Sequence, residues 1–123
     1  MKLPEPRILL DENLPVELAE VLPQAKTLAG QGWLELRNGE LLRLAEGQFD
    51  LLLTMDKGIL YQHNHRGRLM RIAVLSAPNS RIESLIPLLP NLNDFIGTSL
   101  PGTLAIIRED SVVIVADTSS DTP

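Results

Sequence analysis

The chain has 123 residues, a formal net charge of −5 and no cysteine. This length fits a single domain, and the lack of thiols excludes disulfides and cysteine-ligated zinc. No apolar run approaches the roughly 18–20 residues that span a bilayer, and the negative charge argues against coating of nucleic acid by bulk electrostatics. Met1–Pro6 lacks the apolar stretch of a signal peptide, so we expect a cytoplasmic protein.

The first half of the chain alternates short apolar runs with amphipathic segments, a pattern typical of βαβ units. Asparagine is a favoured helix N-cap, so Asn13 and Asn38 should open helices. Proline cannot continue a helix, so Pro23 should stop the first one. The elements predicted for this half are a strand at 7–10, a helix from 13, a strand at 25–28, a loop at 30–32 and a helix from 38 that ends at Gly47.

The second half opens with the clearest strand, Phe49–Met55, a continuous apolar run of the kind that parallel sheets bury on both faces. Pro87 should kink or shorten a helix. The other predicted elements are a turn or short helix at 56–64, a strand at 71–76, helices at 81–89 and 92–100, and a hairpin of strands at 103–107 and 112–115. Alternating strands and helices predict an α/β fold with a mostly parallel sheet.

Acidic side chains stand where predicted strands end or a helix begins. Asp11 follows the first strand, Asp56 follows the strongest strand, and Glu40 lies in the first turn of the second helix. Ligands of open α/β sheets bind outside the carboxyl ends of the strands, so these acids should converge on one cleft. Converging carboxylates suit Mg²⁺ or Mn²⁺, and such ions promote displacement at a phosphodiester.

Simpler interpretations of these acids remain open. Glu40 can be an acid that favours the helix dipole, and Asp56 can belong to a turn with Lys57 and Gly58. Asp11 and Asp56 also suit a phosphoryl-accepting receiver domain. A receiver needs a lysine after its fifth strand, and the chain has none after Lys57, so this alternative lacks a necessary partner.

A cationic cluster follows Asp56. It falls within nine positions and consists of His63, His65, Arg66, Arg68 and Arg71. These groups can hold a nucleic-acid backbone beside the acids, or they can form a solvated loop. Trp33, the only tryptophan, is better explained by packing than by stacking on a ligand.

Two stretches of the chain carry specific motifs: Ile8–Pro15, with Asp11-Glu12-Asn13 at its centre, and Phe49–Lys57, with Thr54-Met55-Asp56. Both resemble a small bacterial family of PIN-like proteins, similar to VapC-type PIN domains in reduced form. Further matches are Gly32-Trp33, Asn38–Ala45 and Tyr61–Asn64. The resemblance runs from about Ile8 to Leu75.

This resemblance implies a three-layer α/β/α PIN-like fold as one domain over 1–116, with 117–123 as a frayed tail. It implies a ribonuclease that depends on Mg²⁺ or Mn²⁺ and acts on RNA. Many relatives are toxins paired with a small antitoxin protein, and many are homodimers. Asp11 and Asp56 would be the metal ligands and, with Glu40, the catalytic residues. The residues for substrate binding would be Asn38, Lys57, Arg66, Arg68 and Arg71.

The chain departs from the family pattern at Asn38, where the middle helix of the family usually opens with an aspartate. An amide carries no charge and is a poorer cation ligand than a carboxylate. Glu40, two residues further on, can reach in instead. The same departure fits a second hypothesis, a PIN-like interaction module that has kept the fold and lost catalysis.

Overall fold

The computed structural model describes residues 6–22, 24–61 and 68–116. Its strands are β1 (Ile8–Leu10), β2 (Ala25–Thr27), β3 (Leu51–Thr54), β4 (Arg71–Leu75), β5 (Leu104–Ile107) and β6 (Val112–Ala116). They form a six-stranded sheet in the order β2-β1-β3-β4-β5-β6. Every neighbouring pair is parallel except β5 and β6. The predicted α/β class, the mostly parallel sheet and the C-terminal hairpin are confirmed.

Short helices connect the strands. In the described residues they are α1 (Leu18–Val21), α2 (Leu28–Gln31), α3 (Asn38–Ala45), α4 (Ile82–Leu85) and α5 (Leu89–Thr98), with 3₁₀ turns at Lys57–Tyr61 and Ile86–Leu88. None of these helices is long and apolar enough to cross a membrane. The predicted frayed tail at 117–123 lies outside the described residues, as do 62–64 of the predicted turn and the predicted helix stop at Pro23.

The prediction that Asn13 opens the first helix is wrong. Helix α1 begins at Leu18, with Glu17 at its N-cap position. The Asn13 carboxamide is used elsewhere, because its Oδ1 accepts a hydrogen bond from the backbone N–H of Met55 at 3.2 Å. A side chain engaged with another strand end cannot also cap a helix.

The predicted loop at 30–32 is also wrong, because Gly30 and Gln31 belong to helix α2. Thr27 supplies the N-cap, with its hydroxyl oxygen accepting from the N–H of Gly30 at 3.1 Å. Gly32 ends the helix in the left-handed conformation, with φ at 76°. The predicted cap of the next helix is displaced by one residue, since Arg37 holds the N-cap position and Asn38 is the first residue of α3.

Side chains of the central strands alternate between two cores. In β1, Ile8 and Leu10 face one core and Leu9 faces the other. The first core is covered by α1, α4 and α5, and the second by α2, α3 and the 3₁₀ turn at Lys57–Tyr61. The fold therefore has three layers, α/β/α, with an aliphatic core on each face of the sheet. Trp33 packs against the second core and meets Phe49 edge-on at 6.1 Å, so the packing prediction is confirmed.

The connection from β4 to β5 has two unusual features. The helix predicted at 81–89 is interrupted, because the segment around Pro87 forms a 3₁₀ turn between α4 and α5.

The connections from β2 to β3 and from β4 to β5 run across the sheet in the same direction, yet their helices cover opposite faces. The two crossovers therefore have opposite hands, whereas nearly all such connections in proteins are right-handed.

Candidate functional site

The carboxyl ends of β1 and β3 lie side by side. The two strands are parallel neighbours with Leu10 opposite Leu53, and the N–H of Asp11 donates to the carbonyl of Leu53 at 2.9 Å. Asp11 therefore stands beside Thr54, the last residue of β3, and Asp56 follows two residues later. The structure brings the two predicted metal ligands to the same edge of the sheet, and we call this edge, with Asp11, Thr54 and Asp56, the acidic edge.

Thr54 links these two strand ends through its hydroxyl group. The residue is fully buried, and its hydroxyl donates to Oδ2 of Asp11 at 2.6 Å. The same oxygen accepts from the backbone N–H of Asp56 at 3.0 Å and from Nδ2 of Asn13 at 3.4 Å. Because a hydroxyl has one proton and both other contacts are donors to it, that proton points at Asp11. The network thus fixes Asp11 as the acceptor.

The Asp11 carboxylate is stabilised by uncharged donors. Its Oδ1 accepts from the N–H of Glu12 at 2.8 Å, and its Oδ2 accepts from Thr54. Within residues 6–22, 24–61 and 68–116, no cationic side chain forms a salt bridge with it. Hydrogen bonds from neutral groups orient a carboxylate without cancelling its charge, so this side chain can still bind a cation.

Asp56 is exposed and its orientation is set by the following turn. Its Oδ1 accepts from the N–H of Gly58 at 2.8 Å, and a 3₁₀ turn begins at Lys57. A Cβ at position 58 would lie 3.0 Å from that carboxylate oxygen. The glycine thus permits the close approach. Asp56 is therefore held in a turn, as the simpler interpretation expected, and also lies at the acidic edge.

Thr54 and Asn13 were missed as site residues. Both occur in the two motifs that carry the family resemblance, but the acids of those motifs were the residues that predicted a cation site. A signal for Thr54 was available, since a threonine directly after three leucines of a buried strand needs a hydrogen-bond partner. Asn13 offered no comparable signal, because its type is equally typical of a helix cap.

The other acid and amide predicted for the site lie at the start of α3. Glu40 is in the first turn of that helix and its side chain is exposed. No hydrogen bond among the described contacts joins Glu40 to Asp11 or Asp56. Asn38 is the first residue of α3. The structure thus gives Glu40 its dipole-favouring position and does not bring it into the Thr54 network.

The predicted cations are divided between the two edges of the sheet. Lys57 directly follows Asp56 and is exposed. Arg71 is the first residue of β4, opposite Leu51 at the start of β3. It therefore lies at the edge of the sheet where the parallel strands begin, which we call the amino edge. Its Nη1 donates to the carbonyl of Ile96 at 2.8 Å and to the Ser99 hydroxyl at 2.9 Å. The structure does not bring Arg71 to the acids. Arg68 precedes the same strand start, and His63, His65 and Arg66 lie outside the described residues.

The amino edge has its own charge network. The N–H of Arg7 donates to Oδ2 of Asp50 at 2.7 Å, and its guanidinium donates to both carboxylate oxygens. Hydrogen bonding from the Arg7 side chain lowers the pKa of Asp50, aided by the charges of Arg7 and Arg71 and opposed by burial. The same pairing raises the pKa of Arg7. Burial lowers the pKa of Arg71.

A divalent cation at the acidic edge would have Asp11 and Asp56 as ligands. Among the described residues, no group of three or more histidine and carboxylate side chains is arranged to hold a metal ion. Mg²⁺ commonly takes only one or two protein carboxylates and completes its shell with water and substrate phosphate. No protein-family model, curated protein or solved structure matches the chain.

Proposed function

We propose that this chain is a metal-dependent ribonuclease of PIN-like type that acts as the toxin of a toxin–antitoxin pair. The observation that carries the proposal is the buried Thr54 hydroxyl, which ties the carboxylate of Asp11 to the backbone of Asp56. It supports a site in which two acids from distant parts of the chain act together. The sequence resemblance supplies the class of reaction and the partner.

In this proposal Asp11 and Asp56 bind Mg²⁺ or Mn²⁺ through carboxylate oxygens. The ion would polarise the phosphodiester and supply a water of lowered pKa for in-line attack. Thr54 orients Asp11 by donating to Oδ2, which leaves the remaining lone pairs of the carboxylate for the ion. Gly58 holds Asp56 through its N–H. These contacts fix the two acids before any substrate binds, which is what electrostatic catalysis requires.

In this proposal the phosphate of the substrate binds to a positively charged side chain beside the two acids. Lys57 is exposed and adjacent to Asp56, so we assign it to the phosphate. Arg71 is engaged with α5 at the other edge and is left out of the site. Glu40 would assist from the start of α3, where its carboxylate is exposed.

Metal binding is tested by thermal unfolding during a Mn²⁺ titration. A ligand that binds only the folded state adds stability of about 2.7 kcal/mol at a hundredfold excess over its Kd. We expect a Mn²⁺-dependent rise in Tm for the wild type that is lost in Asp11→Asn and Asp56→Asn. Asp94→Asn, an exposed aspartate of α5, is the matched control and should respond like the wild type.

Cleavage is tested separately with structured and single-stranded RNA, with and without Mn²⁺. Products formed only with metal and only by the wild type and Asp94→Asn would support the nuclease. The toxin assignment predicts growth arrest when the wild type is induced alone, and no arrest with Asp56→Asn. Metal-independent products that persist in Asp56→Asn would contradict the proposed site.

A second candidate function is a PIN-like interaction module without catalysis. The amide at Asn38, where the family usually places an aspartate, favours it. This candidate predicts no Mn²⁺-dependent rise in Tm and no RNA products. It leaves the fold and the internal hydrogen bonds of the acidic edge unchanged, so the titration and the RNA cleavage assay together separate the two functions.

A further inference from the structure

Two arginines outside the predicted site lie at the same edge of the sheet as the acids. Arg81 ends the loop that leaves β4 and holds the N-cap position of α4, and Arg108 follows the last residue of β5. Both strands run parallel to β3. The carboxyl ends of parallel strands share one edge of a sheet, which is where open α/β folds bind their ligands. The two arginines therefore continue the acidic edge beyond Asp56.

The register of the strands sets the distance between Asp56 and Arg108. Strand β4 lies between β3 and β5, and its pairing continues past its end, since the N–H of Ser76 donates to the carbonyl of Ile107 at 2.9 Å. Continued in the same register, the ladder places Asp56, Ser76 and Arg108 in one row. Neighbouring strands are about 4.8 Å apart, so the backbones of Asp56 and Arg108 are about 10 Å apart. This is the length of about three stacked nucleotides at roughly 3.4 Å each.

The backbone beside each arginine is fixed by an asparagine side chain. Oδ1 of Asn79 accepts a hydrogen bond from the N–H of Arg81 at 3.0 Å. Nδ2 of Asn91, in α5, donates to the carbonyl of Arg108 at 2.9 Å and to that of Glu109 at 3.1 Å. Each arginine side chain therefore extends from a loop that the fold holds in place.

The charges of these two arginines are not neutralised by ion pairs in the part of the chain that the structure describes. Both residues are exposed, and neither forms a salt bridge there. Glu109 and Asp110 follow Arg108 in the hairpin turn, and Oδ1 of Asp110 accepts from the hydroxyl of Ser111 at 3.2 Å. A guanidinium group without an internal acid can bind an external anion, and its planar geometry suits phosphate.

We propose that Arg81 and Arg108 bind phosphates of the RNA strand beside the scissile phosphate, so that the substrate runs from Asp56 along the ends of β4 and β5. This inference rests on the proposed function for the position of the scissile phosphate. An RNA strand carries a negative charge on every nucleotide, so one strand can meet both arginines together. Phosphate contacts position a strand without reading its bases, and we therefore expect binding of single-stranded RNA with little sequence preference.

The test measures the binding of a fluorescein-labelled single-stranded RNA of about twelve nucleotides by fluorescence anisotropy. Every protein carries Asp56→Asn and no metal is added, so the RNA stays intact. Each phosphate contact on a single strand contributes about 0.7 to the slope of log Kd against log salt concentration. We expect Arg81→Gln and Arg108→Gln each to lower this slope by about 0.7 and to raise the Kd about threefold to tenfold at about 50 mM salt.

The controls are an arginine elsewhere on the surface and a substitution that keeps the charge. Arg43 is an exposed arginine in the last turn of α3, which leads toward the start of β3 and thus to the amino edge. Arg43→Gln should leave the slope unchanged, and so should Arg81→Lys and Arg108→Lys. Equal slopes for all three glutamine variants, or RNA that does not bind, would overturn the inference. Equal affinity for an oligoglutamate would indicate a surface for an acidic peptide and would overturn the assignment to RNA.

The cleavage assay distinguishes a failure of this inference from a failure of the proposed function. RNA that binds with the predicted slopes but stays intact with the wild type and Mn²⁺ would support the binding path and contradict the nuclease. Metal-dependent cleavage by the wild type, together with slopes that neither glutamine variant at the acidic edge changes, would support the nuclease and overturn the path.

Discussion

The two edges of the sheet treat their charges in different ways. At the amino edge, Asp50 is matched by Arg7 within the chain, and the pairing shifts the pKa of both side chains. At the acidic edge, Asp11 is held by a hydroxyl and a backbone N–H, neither of which carries charge. Charges neutralised within the fold stabilise it, whereas a charge that is only oriented can still bind an external cation. Under the proposed function, this contrast separates a structural edge from the edge that would bind the metal ion.

The variant with the largest expected effect is Thr54→Val, which preserves the shape of the side chain and removes its hydroxyl group. Three polar groups would lose a partner, so we expect a loss of about 2–3 kcal/mol in the free energy of unfolding and a smaller Mn²⁺-dependent rise in Tm. Urea unfolding and the Mn²⁺ titration measure the two effects. Thr54→Ser keeps the hydroxyl and should retain the metal response. A Thr54→Val protein as stable as the wild type would show that the network does not hold the edge.

The complementary change is Arg71→Met at the amino edge. It removes two hydrogen bonds to the end of α5, and water can partly replace them because the side chain is half-buried. We expect a loss of about 1 kcal/mol with no change in the Mn²⁺ response. Arg81→Met, at an exposed arginine, is the control and should be neutral in urea unfolding. A weaker metal response in Arg71→Met would mean that the two edges are coupled.

Gly58→Ala sharpens the description of the acidic edge. The added Cβ would come within 3.0 Å of Oδ1 of Asp56, so the carboxylate must shift. We expect the Kd for Mn²⁺ to rise about threefold to tenfold, a change of up to about 1.4 kcal/mol, with little effect on unfolding. Gly39→Ala adds a methyl group to open space in α3 and should leave the Kd unchanged. Equal Kd values for the two variants would argue against Asp56 as a ligand.

The smallest expected effect concerns pH. The pKa of Asp50 is lowered from its ordinary value of 3.8, so its ionised form stabilises the fold above that pH and this stability is lost as pH falls through the lowered value. Below 3.8, the free energy of unfolding of the wild type should fall more steeply than that of Asp50→Asn. The difference is small because the pair is exposed to solvent. Parallel curves of unfolding free energy against pH for the two proteins would show that Asp50 does not contribute to acid sensitivity.

The sequence predicted the central strands because their apolar runs permit only buried positions. Leu51–Thr54 and Arg71–Leu75 follow directly from such runs. The edge that holds Asp11 and Asp56 was also predictable, since both follow buried strands of one parallel sheet. The two motifs that carry the resemblance contain every residue of the Thr54 network.

The errors arose where one residue type serves two purposes. Asn13 is a good helix cap, and only the folded chain shows its carboxamide bound to Met55. Arg71 follows a basic segment, and its place at the amino edge depends on where β4 begins. The opposite hands of the two crossovers were not predictable, because the handedness rule favours one hand for all of them.

The alternation of β1 and β3 between two cores has a consequence for how this protein can diverge. Exchanging one aliphatic residue for another in these strands changes local fit and little else. Inserting or deleting a single residue would send every later side chain to the opposite face and would displace Thr54 from Asp11. We therefore expect homologues to vary freely in which aliphatic residues fill these strands, and to conserve the number of residues between strand start and acidic edge.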